Sequence, residues 1–194
     1  MALLTVPEYK LWARNEIPTA DDDSISDAIA AATQALFNAV GRKIVVAGAA
    51  SARVFAPFDS GSSMLMIDDC TTVTSVVENG VTVSSVDYQL EPLNGLSAGG
   101  ESRPYDRIRY KGLRRWFTYY GEATITVTAT WGWSAIPAPA IEACKIATKA
   151  ILDGRDIRLG VLAAVDTGAV TERQALVVRN FVSDYQGHKS WGVG

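Results

Sequence analysis

Val73-Thr74-Ser75-Val76-Val77-Glu78-Asn79-Gly80-Val81-Thr82-Val83-Ser84 places β-branched and small polar residues on both sides of an Asn-Gly pair. Asn-Gly accepts the positive φ angles of a type I′ turn, so this stretch reads as a β-hairpin. Outward from it, period-two runs at 53–56, 64–67, 88–90, 107–110 and 123–131 read as further short strands. In the last of these Ile125 and Val127 face one way while Thr124, Thr126 and Thr128 face the other, giving one buried and one polar face. Residues 92–104, containing Gly95, Gly99 and Gly100, read as a long loop.

Helical signals flank this β region. Thr5-Val6-Pro7-Glu8 is a capping box with proline in the first turn and predicts a short helix over 6–15. Asp21-Asp22-Asp23-Ser24 suits the positive end of a helix dipole and opens a helix that stops at Gly41. Its apolar stripe is Ile25, Ala28, Ile29, Ala32, Leu36 and Val40, with Ala30 and Phe37 on another side. Pro137 and Pro139 open a third helix over 138–153, whose polar sector holds only Glu142, Lys145 and Lys149. Thr171-Glu172-Arg173-Gln174 is a second capping box and starts a last helix reaching Tyr185. The expected fold class is α+β, with about four helices on either side of a β region. The expected organisation is one domain over 1–194, with a bundle from 5–45 and 137–186, an insert at 53–132, and a tail at 187–194.

Composition narrows the function. With 48% hydrophobic and 20% charged residues over 194 positions, the chain has globular composition and excludes collagen, coiled coil and wholesale disorder. Eighteen Lys+Arg against 21 Asp+Glu leave a net charge of −3, so any nucleic-acid contact is expected to be local. The N-terminus lacks the basic and apolar segments of a signal peptide, and the longest apolar runs, 44–50 and 160–165, are far below the roughly 20 residues that span a bilayer. A soluble protein with no membrane partner is expected. Cys70 and Cys144 stand apart with no second Cys or His at ligand spacing, so neither zinc nor a disulfide framework is expected.

The search for catalysis returns no convincing constellation. Gly61-Ser62-Ser63-Met64-Leu65 lacks the second glycine of a nucleophile elbow, and His188 is the only histidine. Gly187-His188-Lys189-Ser190 lacks the upstream glycine of a phosphate loop, and the 21–23 aspartates lack calcium-loop spacing. Asp68, Asp69 and Glu91 read as turn-marking acids rather than a glycosidase pair. Cys144 reads as a small core residue. No catalytic, cofactor or metal residue is expected.

Two features point to partners. Arg103, Arg107, Arg109, Lys111, Arg114 and Arg115 are interleaved with Tyr105, Tyr110, Trp116, Phe117, Tyr119 and Tyr120, the mixture that single-stranded nucleic-acid grooves and protein hot spots both use. The alternation of Arg107, Arg109 and Lys111 with Ile108 and Tyr110 also fits a strand with a basic outer face. Trp191, in the glycine-rich tail, either docks on a partner or packs back on the domain.

The order of these signals carries a resemblance. A short capped helix, a longer helix ending in Val40-Gly41-Arg42-Lys43, the 73–81 hairpin with Asp87-Tyr88 beyond it, the 123–131 strand followed by Gly132-Trp133, and Ile136-Pro137 opening a helix resemble the head-to-tail connector (adaptor) proteins of long-tailed bacteriophages. The resemblance covers about residues 5–155. It implies a small helical bundle with an inserted antiparallel β subdomain, and a non-enzymatic virion protein, made in the host cytoplasm and placed in the neck between capsid and tail. Its members form a ring, commonly twelvefold, that extends the DNA channel beneath the portal and meets a stopper or tail-completion protein. Double-stranded DNA would pass without sequence specificity. The same resemblance implies a portal-docking C-terminal segment, giving Tyr185, His188, Lys189 and Trp191 a role.

A ring subunit touches two identical neighbours through different patches. Helices apolar on more than one side fit that demand, and Ala30, Phe37, Ile146 and Ala150 are the expected subunit-interface residues. The alternative function is a nucleic-acid-binding accessory module using the basic aromatic segment 103–120.

Overall fold

The computed structural model describes residues 2–13, 22–57, 61–93, 102–117, 124–153 and 171–186. The chain divides into two compact units, Met1–Ile44 with Ile136–Gly194, and Val45–Ala135. The fold is α+β, with four helices and an antiparallel sheet of six strands among the described residues.

The first unit holds α1 (Val6–Ala13), α2 (Asp22–Val40), α3 (Ala138–Asp153) and α4 (Glu172–Tyr185). Thr5 donates its backbone N–H and its hydroxyl to the Glu8 carboxylate, at 2.9 and 2.6 Å, closing the first turn of α1. Those hydrogen bonds hold the Glu8 carboxyl below its ordinary pKa. Helix α2 ends where Gly41 turns to φ 73° and its N–H reaches the Phe37 carbonyl at 2.9 Å. Thr171 and Gln174 form the reciprocal capping box of α4.

The predicted α2 stripe of Ile25, Ala28, Ile29, Ala32, Leu36 and Val40 is buried, joined by Thr33 and Phe37. Helix α3 packs against both α2 and α4, which explains its narrow polar sector. Ala140, Ala143, Ala147 and Ala150 present little side-chain bulk at these contacts. Polar atoms in the helical core find partners. Leu3 N–H donates to Thr33 Oγ1 at 3.4 Å, Thr33 Oγ1 lies 3.6 Å from Cys144 Sγ, and Thr148 donates to the Cys144 carbonyl at 2.7 Å.

The second unit holds β1 (Ser51–Phe55), β2 (Met64–Glu78), β3 (Val81–Thr82), β4 (Tyr88–Glu91), β5 (Tyr105–Tyr110) and β6 (Ile125–Trp131). The strand order is β1-β6-β2-β5-β4, with β3 hairpinned onto β2. Asn79 and Gly80 take φ 50° and 81°, the turn that the Asn-Gly pair predicts. Strand β6 alternates between buried and half-buried residues from Ile125 to Trp131, as its threonine pattern requires.

One expectation needs correction. The runs at 64–67 and 73–78 are a single strand, because β-bulges between Met66 and Cys70 and between Val73 and Ser75 absorb the break in alternation at Asp68-Asp69. The N-terminal half of β2 pairs with β5 and its C-terminal half with β6. The sheet coils so far that Tyr110, at the end of β5, donates its hydroxyl to Glu78, at the far end of β2, at 2.6 Å. Leu65, Val76, Ile108, Trp116, Ile125 and Val127 fill the interior. Gly132, at φ 121°, lets the 45–47 segment lie against β6's end: Trp133 N–H donates to the Val45 carbonyl and Ala47 N–H to the Trp133 carbonyl, each at 2.8 Å.

Candidate partner-binding surfaces

The basic segment sits on β5 and the loop after it. Ile108 is buried in the row Leu65–Ile108–Leu90, so Arg107 and Arg109 project to the opposite face, in the rows Met66–Arg107–Glu91 and Met64–Arg109–Gln89. Their charges are met inside the unit. Arg107 pairs with Asp106 at 2.9 Å, Arg109 with Glu91 at 2.8 Å, and Arg114 with Asp87 at 2.8 Å. Arg114 also lies over the Tyr110 ring, and Arg115 donates to the Arg114 carbonyl at 2.9 Å. Arg103 lines a cavity of about 220 Å³ with Cys70, Thr71, Pro92 and Tyr105, and none of the other five cations lines it. Lys111 is exposed, and no described carboxylate stands at ion-pair distance from it. The six cations therefore do not form one open groove. Tyr110 and Trp116 stack on each other in the interior at 3.9 Å rather than offering faces to bases. Tyr119 and Tyr120 lie outside the described residues.

The aromatic loop builds a different surface. Glu78 accepts from Tyr110 Oη and from Phe117 N–H, the latter at 3.2 Å, and Lys111 N–H donates to the Asp87 carbonyl at 2.8 Å. Burial and the Glu78 carboxylate push the Tyr110 phenol well above its ordinary pKa, so it stays a donor. These bonds tie the β2–β3 turn, the 84–87 turn and the 111–117 loop together. From them Leu113 projects 91% exposed, Val86 71% and Phe117 55%, with Val81 exposed nearby opposite Glu78. Sequence reading missed Leu113 and Val86. The available signal was Lys111-Gly112-Leu113-Arg114, an apolar residue set among cations beside a glycine.

The residues expected at subunit contacts are mostly covered by their own unit. Phe37 is buried, Ile146 and Ala150 form a cluster with Ala175 backed by Trp12, Val177 and Val178, and Ala30 alone of the four is exposed. Tyr185 is buried and stacks on Phe181 at 5.1 Å between ring centres. His188, Lys189 and Trp191 lie outside the described residues.

The acids have structural partners. Asp68 accepts from Arg53 at 2.6 Å, Asp69 from the Trp133 indole at 2.9 Å, and Glu91 from Arg109 and Gln89. Burial, then the neighbouring Asp69, Asp106 and Asp68, pushes the Cys70 thiol up to about 12, and burial raises Cys144. Both shifts favour the protonated thiol at neutral pH. Among the described residues no group of three potential metal ligands forms, and no helix is long and apolar enough to cross a membrane.

No protein-family model matches the sequence, and no curated protein matches it. Solved structures do. A chain in the neck of an empty gene transfer agent (GTA) particle, computed with C6 symmetry, aligns at TM-score 0.52 and 16% identity, covering 87% of this chain and 90% of that one. A chain of the virion of a native GTA particle aligns at TM-score 0.48 and 17% identity over 87% and 90%. A chain of a native GTA neck computed with C12 symmetry aligns at 0.44 and 16% over 89% and 95%. The chain shares its fold with a chain of the GTA neck.

Proposed function

We propose that this protein is a structural head-to-tail connector of a tailed-phage-like particle. It forms a ring, twelvefold as in most proteins it resembles, that sits under the portal, continues the DNA channel and receives a stopper or tail-completion protein. The observation that carries this reading is the fold likeness to a GTA neck chain over 87% of the sequence. The location is the virion neck, and the role is assembly rather than catalysis. Tyr185 is buried, so portal docking falls to the segment after it, including His188, Lys189 and Trp191. Ala30 is the one expected interface residue left open to a neighbour.

Passage of DNA favours a surface that does not hold phosphates, because each neutralised phosphate strengthens binding and slows sliding. Arg107, Arg109 and Arg114 are spent on Asp106, Glu91 and Asp87, which also counts against the accessory nucleic-acid module.

Mass measurement of the purified chain, alone and mixed with portal protein, tests the proposal. A closed ring bound to portal is expected, and removal of residues 187–194 should leave a folded chain that no longer joins capsids. Monomers only, with portal present, or a position in the particle other than the neck, would overturn it. Salt-steep DNA binding that collapses in an Arg107→Ala, Arg109→Ala variant would favour the rival module.

A further inference from the structure

We propose that copies of this chain join edge to edge through their sheets, the free edge of β1 on one copy adding in parallel to the free edge of β4 on the next. The inference rests on the connector reading and names the contact that closes its ring. Each of these strands pairs with one neighbour only, β1 with β6 and β4 with β5. In an antiparallel ladder alternate residues bond the neighbour, and the residues between them turn their N–H and C=O the other way. Asn79 N–H donates to the Thr124 carbonyl at 3.1 Å, in register with Val77 opposite Thr126, so Thr126 and Thr128 bond β2 while Ile125, Val127 and Ala129 bond β1. Their partners Phe55, Arg53 and Ser51 are thereby engaged, and Ala52 and Val54 present their backbone groups outward. At the other edge Lys111 N–H donates to the Asp87 carbonyl at 2.8 Å, in register with Tyr88 opposite Tyr110. Gln89 and Glu91 therefore bond β5, and Tyr88 and Leu90 present theirs outward. Among the described residues nothing bonds the outward groups of these four residues. Edge strands are commonly guarded by proline, a bulge or an unpaired charge. Strand β1 has no proline and no bulge, is exposed from Ser51 to Val54, and holds its one cation, Arg53, against Asp68 at 2.6 Å and over the Trp131 ring.

Strand direction and phase select the β4 edge of a second copy as the occupant. Four antiparallel ladders separate β1 from β4, so the two run in the same sense, and a rotation that continues the sheet brings β1 of the next copy alongside β4 in parallel. The phases agree. Arg53 and Phe55 share the face of Trp131, so Ala52 and Val54 lie on the face away from the core. Tyr88 is buried and Leu90 stands in the row of buried Ile108, so both lie on the core face. In a parallel pair Ala52 or Val54 lies opposite Gln89, donating to the Tyr88 carbonyl and accepting from the Leu90 N–H, and the two core faces stay on one side. Antiparallel pairing of the same edges would set Ala52 and Val54 opposite Tyr88 and Leu90 and turn one core face to the solvent side. Pairing of β1 with β1 would bring Arg53 against Arg53 in the register of fullest overlap, and its two-fold ends at two copies.

The test uses the full chain, with ring mass read by native mass spectrometry and folding by circular dichroism. Val54→Pro removes one outward N–H and leaves the ladder to β6 intact, so the ring population should fall about tenfold or more. Val54→Thr, which keeps that N–H, should form rings as before. Gln89→Cys is then combined with Ala52→Cys or with Val54→Cys, and one of the two double variants, on oxidation, should give disulfide-linked multimers on a denaturing gel. Ala52→Cys and Val54→Cys alone should stay unlinked. Rings that persist in folded Val54→Pro, ring-forming double variants that never cross-link, or linked pairs from a β1 cysteine alone would overturn the contact and leave the connector reading standing. A wild-type chain that forms no ring, with or without portal, would overturn both.

Discussion

The helical unit and the β unit are held by different physics. The helices, drawn from both sides of the β stretch in sequence, bury aliphatic and alanine faces with Tyr9, Phe37, Phe181 and Tyr185 among them, and their core polar atoms Thr33, Thr148 and Cys144 bond one another or the backbone. The β unit is one continuous stretch whose largely aliphatic interior also holds tryptophan rings, with each indole N–H aimed at a fixed acceptor: Trp116 at the Ile108 carbonyl, Trp131 at the Ser51 carbonyl, Trp133 at Asp69. Non-directional packing tolerates small shifts, whereas directed bonds fix a geometry.

The contrast predicts that single changes in the β unit cost more than changes at helix ends. Trp116→Ala should cost about 4 kcal/mol, removing a fully buried ring that stacks on Tyr110. Urea unfolding would measure the loss, and hydrogen exchange should show it in the amides of 45–135 before those of the helices. A uniform loss of protection would break the contrast. Next is Gly132→Ala, where the new Cβ would stand 2.7 Å from the Val45 carbonyl oxygen at a φ of 121°. About 3 kcal/mol is expected from strain and displaced backbone, read as a lower melting temperature.

Alkaline titration sharpens the same comparison. The Cys70 thiol is raised from 9.0 to about 12, so in that window the unfolded chain has released a proton that the folded chain retains. Stability should therefore be intact below pH 9 and fall progressively toward pH 12. Cys70→Ala should flatten this slope, and an unchanged slope would refute the assignment. Tyr110→Phe removes the hydroxyl that fastens Glu78 and should cost about 1–2 kcal/mol at neutral pH, measured by the denaturation midpoint. At a helix end, Thr171→Ala opens the α4 capping box for about 1 kcal/mol, with a small loss of helical ellipticity. If this last change outweighs Trp116→Ala, the comparison fails.

Much of the architecture was legible because its signals are local. The Asn79-Gly80 turn, the Ile125/Thr126 alternation, the α2 stripe and the Thr171–Gln174 cap each need only neighbours in sequence to be recognised. Signals that depend on distant partners are not carried by the local sequence. Asp68-Asp69 looked like the end of a strand because Arg53 and Trp133, which meet these acids, are far away in sequence. The site was less legible still. Phe37, Ile146, Ala150 and Tyr185 carried the right apolar character for a contact, but apolar character does not say whether the chain's own helices or a neighbour's will cover it.

By itself the sequence determined the element types, the α+β class and the acidic balance, since periodicity, capping and composition act within a few residues or over the whole chain. Only the tertiary structure decided which cations are neutralised, which apolar residues stay exposed, and that the β2–β3 turn, the 84–87 turn and the 111–117 loop are tied to one another. Those outcomes depend on strand order and on the coiling that carries Tyr110 back to Glu78, which bring together residues far apart along the chain.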